Sequence, residues 1–247
     1  MATVHFILQG KGGVGKSFVA VMLAQYLKEK NVKTFCADTD PINATFASFN
    51  EFSVKHIKLL NGESNLIVQA EFDNLIEYIC EAEEEAHIVV DNGASSFIPL
   101  INYLVENNVL DLLKSLGHSI CLHSIITGGQ ALNDTLIGFD LLSNKFSKSA
   151  SIVVWLNEYF GEIKADNKYF EQMSVYKKHA KSILGIITAR LQPELFMMSL
   201  KKALEQRLSL KTAINSPDLK IMDKQRLTMI RRDFYEQLDV IMDQTGK

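Results

Sequence analysis

Six short apolar runs recur along the chain, at residues 4–8, 33–37, 87–90, 119–126, 152–156 and 183–187. Their length and near-continuous hydrophobicity predict buried parallel strands. Most of the intervals between them show apolar positions spaced by three and four, the helical period. Residues 18–28 align Val19, Leu23 and Leu27, with Ala20, Ala24 and Tyr26 beside them. Residues 72–86 carry Leu75, Ile76, Ile79 and Cys80 opposite an acidic face, and 100–116 carry Leu104, Leu112, Leu113 and Leu116. Further helices are expected at 132–146, 169–181 and 195–208, and Leu227, Ile230, Phe234, Leu238 and Ile241 predict a final helix packed on the body. Residues 53–60 mix Val54, Ile57 and Leu59 with Lys55, His56 and Lys58, which predicts a short exposed or edge strand. Strand and helix in alternation give an α/β fold: a doubly wound, mostly parallel sheet with helices on both faces and its ligands at the carboxyl ends of the strands.

Composition narrows this picture rather than changing it. The 247 residues contain 4 prolines and 13 dispersed glycines, with no linker-like tract or fixed-period repeat, so one domain over 1–247 is expected. A formal charge of −3 argues neither for nor against nucleic acid. No basic leader precedes a long apolar segment, and no stretch approaches the roughly 18 apolar residues of a membrane span, so a cytoplasmic protein without membrane insertion is expected. Cys36, Cys80 and Cys121 are widely spaced and read as reduced thiols. The run Glu81, Glu83, Glu84, Glu85 reads as a solvated helix end.

The candidate chemistry begins directly after the first strand. Gly10-Lys11-Gly12-Gly13-Val14-Gly15-Lys16-Ser17 fits the phosphate-loop pattern G-x-x-x-x-G-K-[ST]. The glycines let backbone N–H groups curl around phosphate oxygens, Lys16 brings a point charge to the β and γ phosphates, and the Ser17 hydroxyl can ligate Mg²⁺. Gly10 through Ser17, with Phe18 at the helix start, are thus the expected nucleotide cradle, and ATP with Mg²⁺ the expected ligands.

Other acids and amides stand at predicted strand ends. Asp38-Thr39-Asp40-Pro41 would place two carboxylates near the phosphates, to hold Mg²⁺-bound waters or orient an attacking water; the same sequence also suits an Asx-type turn before Pro41. Asp91 ends the apolar run from His87 and would act on a metal-bound water, because a bare carboxylate repels phosphate. Asn157 can match an adenine edge through its amide, or only cap a turn. Neither Asn144-Lys145-Phe146-Ser147 nor Asn167-Lys168-Tyr169-Phe170 completes the guanine-specific Asn-Lys-x-Asp, which favours ATP over GTP. Lys11 is a lysine that a simple phosphate loop does not need; it is either a surface residue or one that reaches phosphates of a neighbouring subunit.

Lys11 through Ser17 followed by Asp38-Thr39-Asp40-Pro41 resembles the deviant Walker A ATPases, the group of ParA, MinD and the nitrogenase iron protein. That resemblance implies an ATP-sandwich homodimer in which Lys11 contacts the opposite subunit's nucleotide, Asp40 lies in the first switch and helps place water, and Asp91 serves Mg²⁺. Catalytic work then falls to Lys11, Lys16 and Asp40, and metal binding to Ser17, Asp38 and Asp91. The chain is also similar to TraL-type proteins of conjugative plasmids through Leu8 to Ser17, Asp38 to Phe46, Val90 to Pro99, Thr127 to Leu132, Val153 to Asn157, and Gln225-Arg226-Leu227 with Arg231-Arg232. This implies a role in plasmid DNA transfer without supplying its molecular step; the leading expectation is a slowly hydrolysing, ATP-dependent dimeric switch, with a conjugation-machinery protein or plasmid DNA as partner. Ile42 and Asn92-Gly93-Ala94 depart from the better-known relatives, and the mixed or acidic final helix departs from MinD's basic membrane helix. Two other functions fit the same fold: an ATP-dependent ligase or synthetase for a small molecule, and a nucleotide-gated binding module with negligible turnover. Lys220, Lys224, Arg226, Arg231 and Arg232 are either a DNA contact or partners of Asp223, Asp233 and Glu236.

Overall fold

Alternation along the first strand sets up two opposite cores. In the computed structural model, which describes residues 1–60, 66–190 and 192–245, β1 (Thr3–Leu8) turns Val4, Phe6 and Leu8 to one face and His5 and Ile7 to the other, all buried. The chain continues with α1 (Lys16–Glu29), β2 (Thr34–Asp38), β3 (Lys55–His56), α2 (Phe72–Cys80), β4 (His87–Asp91), α3 (Phe97–Glu106) and α4 (Val109–Ser115). Next come β5 (Ser119–Thr127), α5 (Leu132–Phe146), β6 (Ser151–Asn157), β7 (Lys164–Ala165), β8 (Lys168–Tyr169), α6 (Ser174–His179), β9 (Ile183–Ala189), α7 (Glu194–Glu205), α8 (Leu210–Asn215) and α9 (Ile221–Thr245). Seven strands form one parallel sheet in the order β3-β2-β4-β1-β5-β6-β9, and β7 and β8 make a small antiparallel pair. One core lies between the sheet and α2 to α5; the other lies between the sheet and α1, α7, α8 and α9. Because β1 is central, the loops that follow β1, β2 and β4 meet at one carboxyl edge.

The strand expectations hold, including the edge strand, which narrows to Lys55–His56. The helical ones need three corrections. The helix expected over 72–86 ends at Cys80, and the acidic segment after it turns into β4 with Glu85 at φ 62. The one expected over 100–116 is two helices, split where Asn108 takes φ 51, a left-handed conformation that asparagine tolerates better than most residues. Only Ser174–His179 of 169–181 is α-helical, since Tyr169 pairs in the β-hairpin instead. Helix α8, at six residues, is too short for periodicity to reveal.

Candidate functional site

The glycine loop joins β1 to α1, and its geometry explains its composition. Gly13 and Gly15 have φ of 74 and 102, conformations a side chain resists. Gly10 leaves no room for a Cβ, which would lie 2.8 Å from Phe97 Cδ1 at the start of α3. The loop's entry is held by Gln9, a buried residue that sequence reasoning missed. Its Nε2 donates to the carbonyls of Ile125 (2.8 Å) and Thr135 (3.1 Å), while its Oε1 accepts from the Gly10 amide (2.9 Å). Gly138 on α5 makes this possible, because a Cβ there would fall 2.1 Å from Gln9 Oε1. The available signal was a polar residue closing an apolar strand.

Lys16 is buried and curls back so that Nζ donates to the Lys11 carbonyl at 3.1 Å. Burial pulls its pKa down, opposed by the nearby charges of Asp91 and Asp40. Asp91, at the end of β4, accepts a hydrogen bond from Ser17. Burial, with repulsion from Asp38 and Asp40, pushes its carboxyl up to about 8 despite Ser17 and Lys16. Its Oδ1 is buried and finds no partner among the described residues. A hydroxyl beside a carboxylate with one open oxygen, at a phosphate loop, suits Mg²⁺ and its waters.

The two aspartates after β2 shape their own loop. Asp38, fully buried, accepts from the Asp40 amide through Oδ1 (2.9 Å) and from the Ala47 amide through Oδ2 (3.0 Å). Asp40 Oδ1 accepts from the Ile42 and Asn43 amides at 2.9 and 3.1 Å. The Asx-turn geometry is therefore present at both residues, with Ala44 held at φ 34 just beyond. Asp40 stays close to Lys16, whereas both Asp38 oxygens serve the loop.

Lys11 extends to α5 and pairs with Asp134 at 2.8 Å, both side chains being about half exposed. Asn157 caps the turn after β6, accepting from the Tyr159 amide at 3.1 Å, and its Nδ2 donates to the Val14 carbonyl at 2.9 Å. It thus tethers the phosphate loop. Beside it opens a cavity of about 610 Å³ lined by Gly13, Gly15, Phe18, Tyr159, Phe160 and Phe234 among others. A Cβ on Gly12 would meet Ala94 Cβ at an ordinary 3.9 Å, and Val14 beside it is buried. Away from the site, Arg226, Arg231 and Arg232 pair with Asp223, Glu29 and Glu236 at 3.5, 3.4 and 3.8 Å.

A second buried polar group crosses the middle of the sheet. His87 on β4, His5 on β1, His123 on β5 and Trp155 on β6 form a row linked at 2.8, 2.9 and 2.9 Å. The indole N–H can only donate, so His123 Nδ1 accepts and its Nε2 carries the proton toward His5. His5 in turn donates to His87 Nδ1. Burial lowers the pKa of all three, that of His123 to about 3, and the row is neutral. The ligand atoms of His5, Cys121 and His123 lie within 4.8 Å of one another. A metal there would need His123 Nε2 deprotonated and Nδ1 as a donor, which the Trp155 hydrogen bond opposes.

Comparison with known proteins agrees with this geometry. Residues 5–228 match the model of the CobQ/CobB/MinD/ParA nucleotide binding domain. The chain is 42% identical to Protein TraL of Escherichia coli over 240 residues, covering 97% of this chain and 98% of that protein. Among solved structures it is similar to the MinD cell division protein of Aquifex aeolicus, with a TM-score of 0.52 and 16% identity over 93% of this chain and 95% of that one. It is also similar to a chain named as a plasmid partition protein of Borrelia burgdorferi bound to AMPPNP, with a TM-score of 0.50 and 18% identity over 96% and 99%. With its family model spanning most of the sequence and a TraL relative aligned almost end to end, the chain belongs to the CobQ/CobB/MinD/ParA nucleotide-binding family and, within it, to the TraL-type proteins.

Proposed function

We propose that this protein is an ATP-binding and slowly hydrolysing dimeric switch of plasmid conjugative DNA transfer, acting in the cytoplasm as one domain. The observation that carries the reading is the meeting of Lys16, Ser17 and the open Oδ1 of Asp91 at the glycine loop. Ser17 would ligate Mg²⁺ directly and Asp91 would hold one of its waters, and the ion supplies neutralisation of phosphate charge. Lys16 would leave the Lys11 carbonyl for the β and γ phosphates. The cavity beside Phe18, Tyr159 and Phe160 is large enough for a base. Asn157 serves there by fixing the loop, and Asp38 by fixing the segment that carries Asp40. In the hydrolytic step Asp40 would orient the attacking water, and Lys11 would exchange Asp134 for a phosphate of the second subunit.

Relatives support the nucleotide and the setting: the Borrelia protein holds AMPPNP, and the alignment with TraL spans nearly the whole chain. The partner is a conjugation-machinery protein or plasmid DNA. Pairing of Arg226, Arg231 and Arg232 within the chain favours the protein. The test is molecular mass in solution with Mg²⁺ alone, with ADP and with ATP, alongside phosphate release. A dimer specific to ATP, with slow release, is expected. ATP-induced dimers without phosphate release would make it a binding module. Turnover only with an added small molecule, at constant mass, would make it a ligase.

A further inference from the structure

Asn92-Gly93-Ala94 departs from the better-known relatives, and the structure shows what this sequence builds. Asn92, Thr39 and Ser96 are each at most 1% exposed. Asn92 Oδ1 accepts from Thr39 Oγ1 and from Ser96 Oγ, both at 2.9 Å, and its Nδ2 donates to the Gly93 carbonyl at 2.9 Å. One amide thus joins the end of β2, the end of β4 and the start of α3. The Thr39 amide adds a bond to the Asp91 carbonyl at 2.9 Å. Next to this knot the two loops touch without any gap. A Cβ on Gly93 would lie 2.9 Å from both Cα and Cγ of Asp40. On its other side α3 presses Phe97 against Gly10.

The residue type matters. Two hydroxyl donors need an acceptor with two open lone pairs, and the pocket already holds Asp38 and Asp91. A third buried carboxylate would add like-charge repulsion and desolvation, while an amide oxygen accepts both bonds uncharged.

We propose that Asn92 is a positioning residue that locks the Asp40 loop to the loop and helix after β4, so that they move as one unit. This rests on the ATPase reading for its purpose, since Asp40 and Asp91 are the groups it would keep in step, but its physical content does not need nucleotide. A displacement of the Asp40 loop that leaves the end of β4 in place strips the buried Thr39 hydroxyl of both its acceptors there, Asn92 Oδ1 and the Asp91 carbonyl at 3.1 Å, which is the elementary requirement for a coupled element.

The experiment is amide hydrogen exchange of the nucleotide-free full chain, comparing the parent with Thr39→Val, Thr39→Ser and Asn92→Ala. Amides of Asp40, Ile42 and Asn43 report one loop; those of Phe97 and Leu100 report the other. Thr39→Val, nearly isosteric but lacking the hydroxyl, is expected to raise exchange about tenfold at both sets, and Thr39→Ser to restore both. Asn92→Ala added to Thr39→Val should change the amides of Asp40, Ile42 and Asn43 little further, because the two substitutions share the Thr39–Asn92 bond, whereas loss of the Ser96 bond falls on the α3 set. A rise confined to 40–43 in Thr39→Val, or additive effects of the two substitutions at 40–43, would overturn the proposal. ATP turnover measured in parallel keeps the questions separate: a parent that neither binds nor hydrolyses ATP sinks the ATPase reading, while the exchange result still decides the coupling.

Discussion

The histidine row and the phosphate-loop cluster are both buried polar groups on adjoining strands, and β4 contributes to each, with His87 at its start and Asp91 at its end. The row pairs every bond from Trp155 through His123 and His5 to His87, at 2.8 to 2.9 Å, and carries no charge. The cluster gathers Lys16, Asp38, Asp40 and Asp91 and leaves Asp91 Oδ1 without a partner among the described residues. A polar group finished internally stabilises a unique core; one left open tolerates a standing cost that a ligand can remove. The difference separates structure from function more sharply than burial does.

The largest test of this contrast is Lys16→Ala, which should weaken ATP binding by about a thousandfold, or ~4 kcal/mol, with melting unchanged. Equilibrium binding by a fluorescent ATP analogue checks it, and parental affinity in a folded variant would break the site assignment. Next comes acid. Because the folded pKa of each histidine in the row lies below the ordinary 6.5, the row's contribution to stability is full above that pH and falls as pH drops, the unfolded chain taking up protons that the folded one refuses. Between pH 6.5 and 5 the loss from His123 alone should be about 1.6 kcal/mol, with His5 and His87 adding in the same direction, while Asp91, held up to about 8, gains stability over the same interval and opposes it. Urea titrations of the Asp91→Asn variant at the two pH values measure the histidine loss free of that opposing carboxyl.

His123→Leu should cost about 2 kcal/mol by leaving the Trp155 N–H and His5 unpaired, flatten the acid dependence of the Asp91→Asn background, and leave nucleotide affinity at its parental value. Asp91→Asn should do the reverse. Its stability should stay level or rise by no more than about 1 kcal/mol, while the Mg²⁺ dependence of nucleotide binding disappears. A destabilised Asp91→Asn variant would show that the cluster is as finished as the row. The smallest effect belongs to Asp134→Asn. Removing the half-exposed partner of Lys11 should change melting by less than about 0.5 kcal/mol.

What the sequence disclosed follows the same division. The phosphate loop is local: glycines, lysine and serine sit within eight positions, and each backbone or ligand demand falls on its own residue type. Buried strands were legible because both faces are covered, so periodicity was not needed to find them. The histidine row was not, since His5 meets His123 across 118 positions and each residue looks like an ordinary member of its strand. Asn157 showed at a strand end, but not that its amide would hold the Val14 carbonyl. The split between α3 and α4 depended on a backbone angle at Asn108 that apolar spacing does not encode.

Gly138 gives the nucleotide loop a second address in the gene. By helix propensity alone, glycine to alanine in the middle of α5 would gain about 1 kcal/mol. Here the added methyl collides with Gln9, and Gln9 is the hinge pin from which Gly10 hangs. Mutational lesions on that helix should therefore read as nucleotide-binding defects, and Gly138→Ala is a natural place to seek a conditional allele whose permissive and restrictive states differ only in how far one amide is pushed.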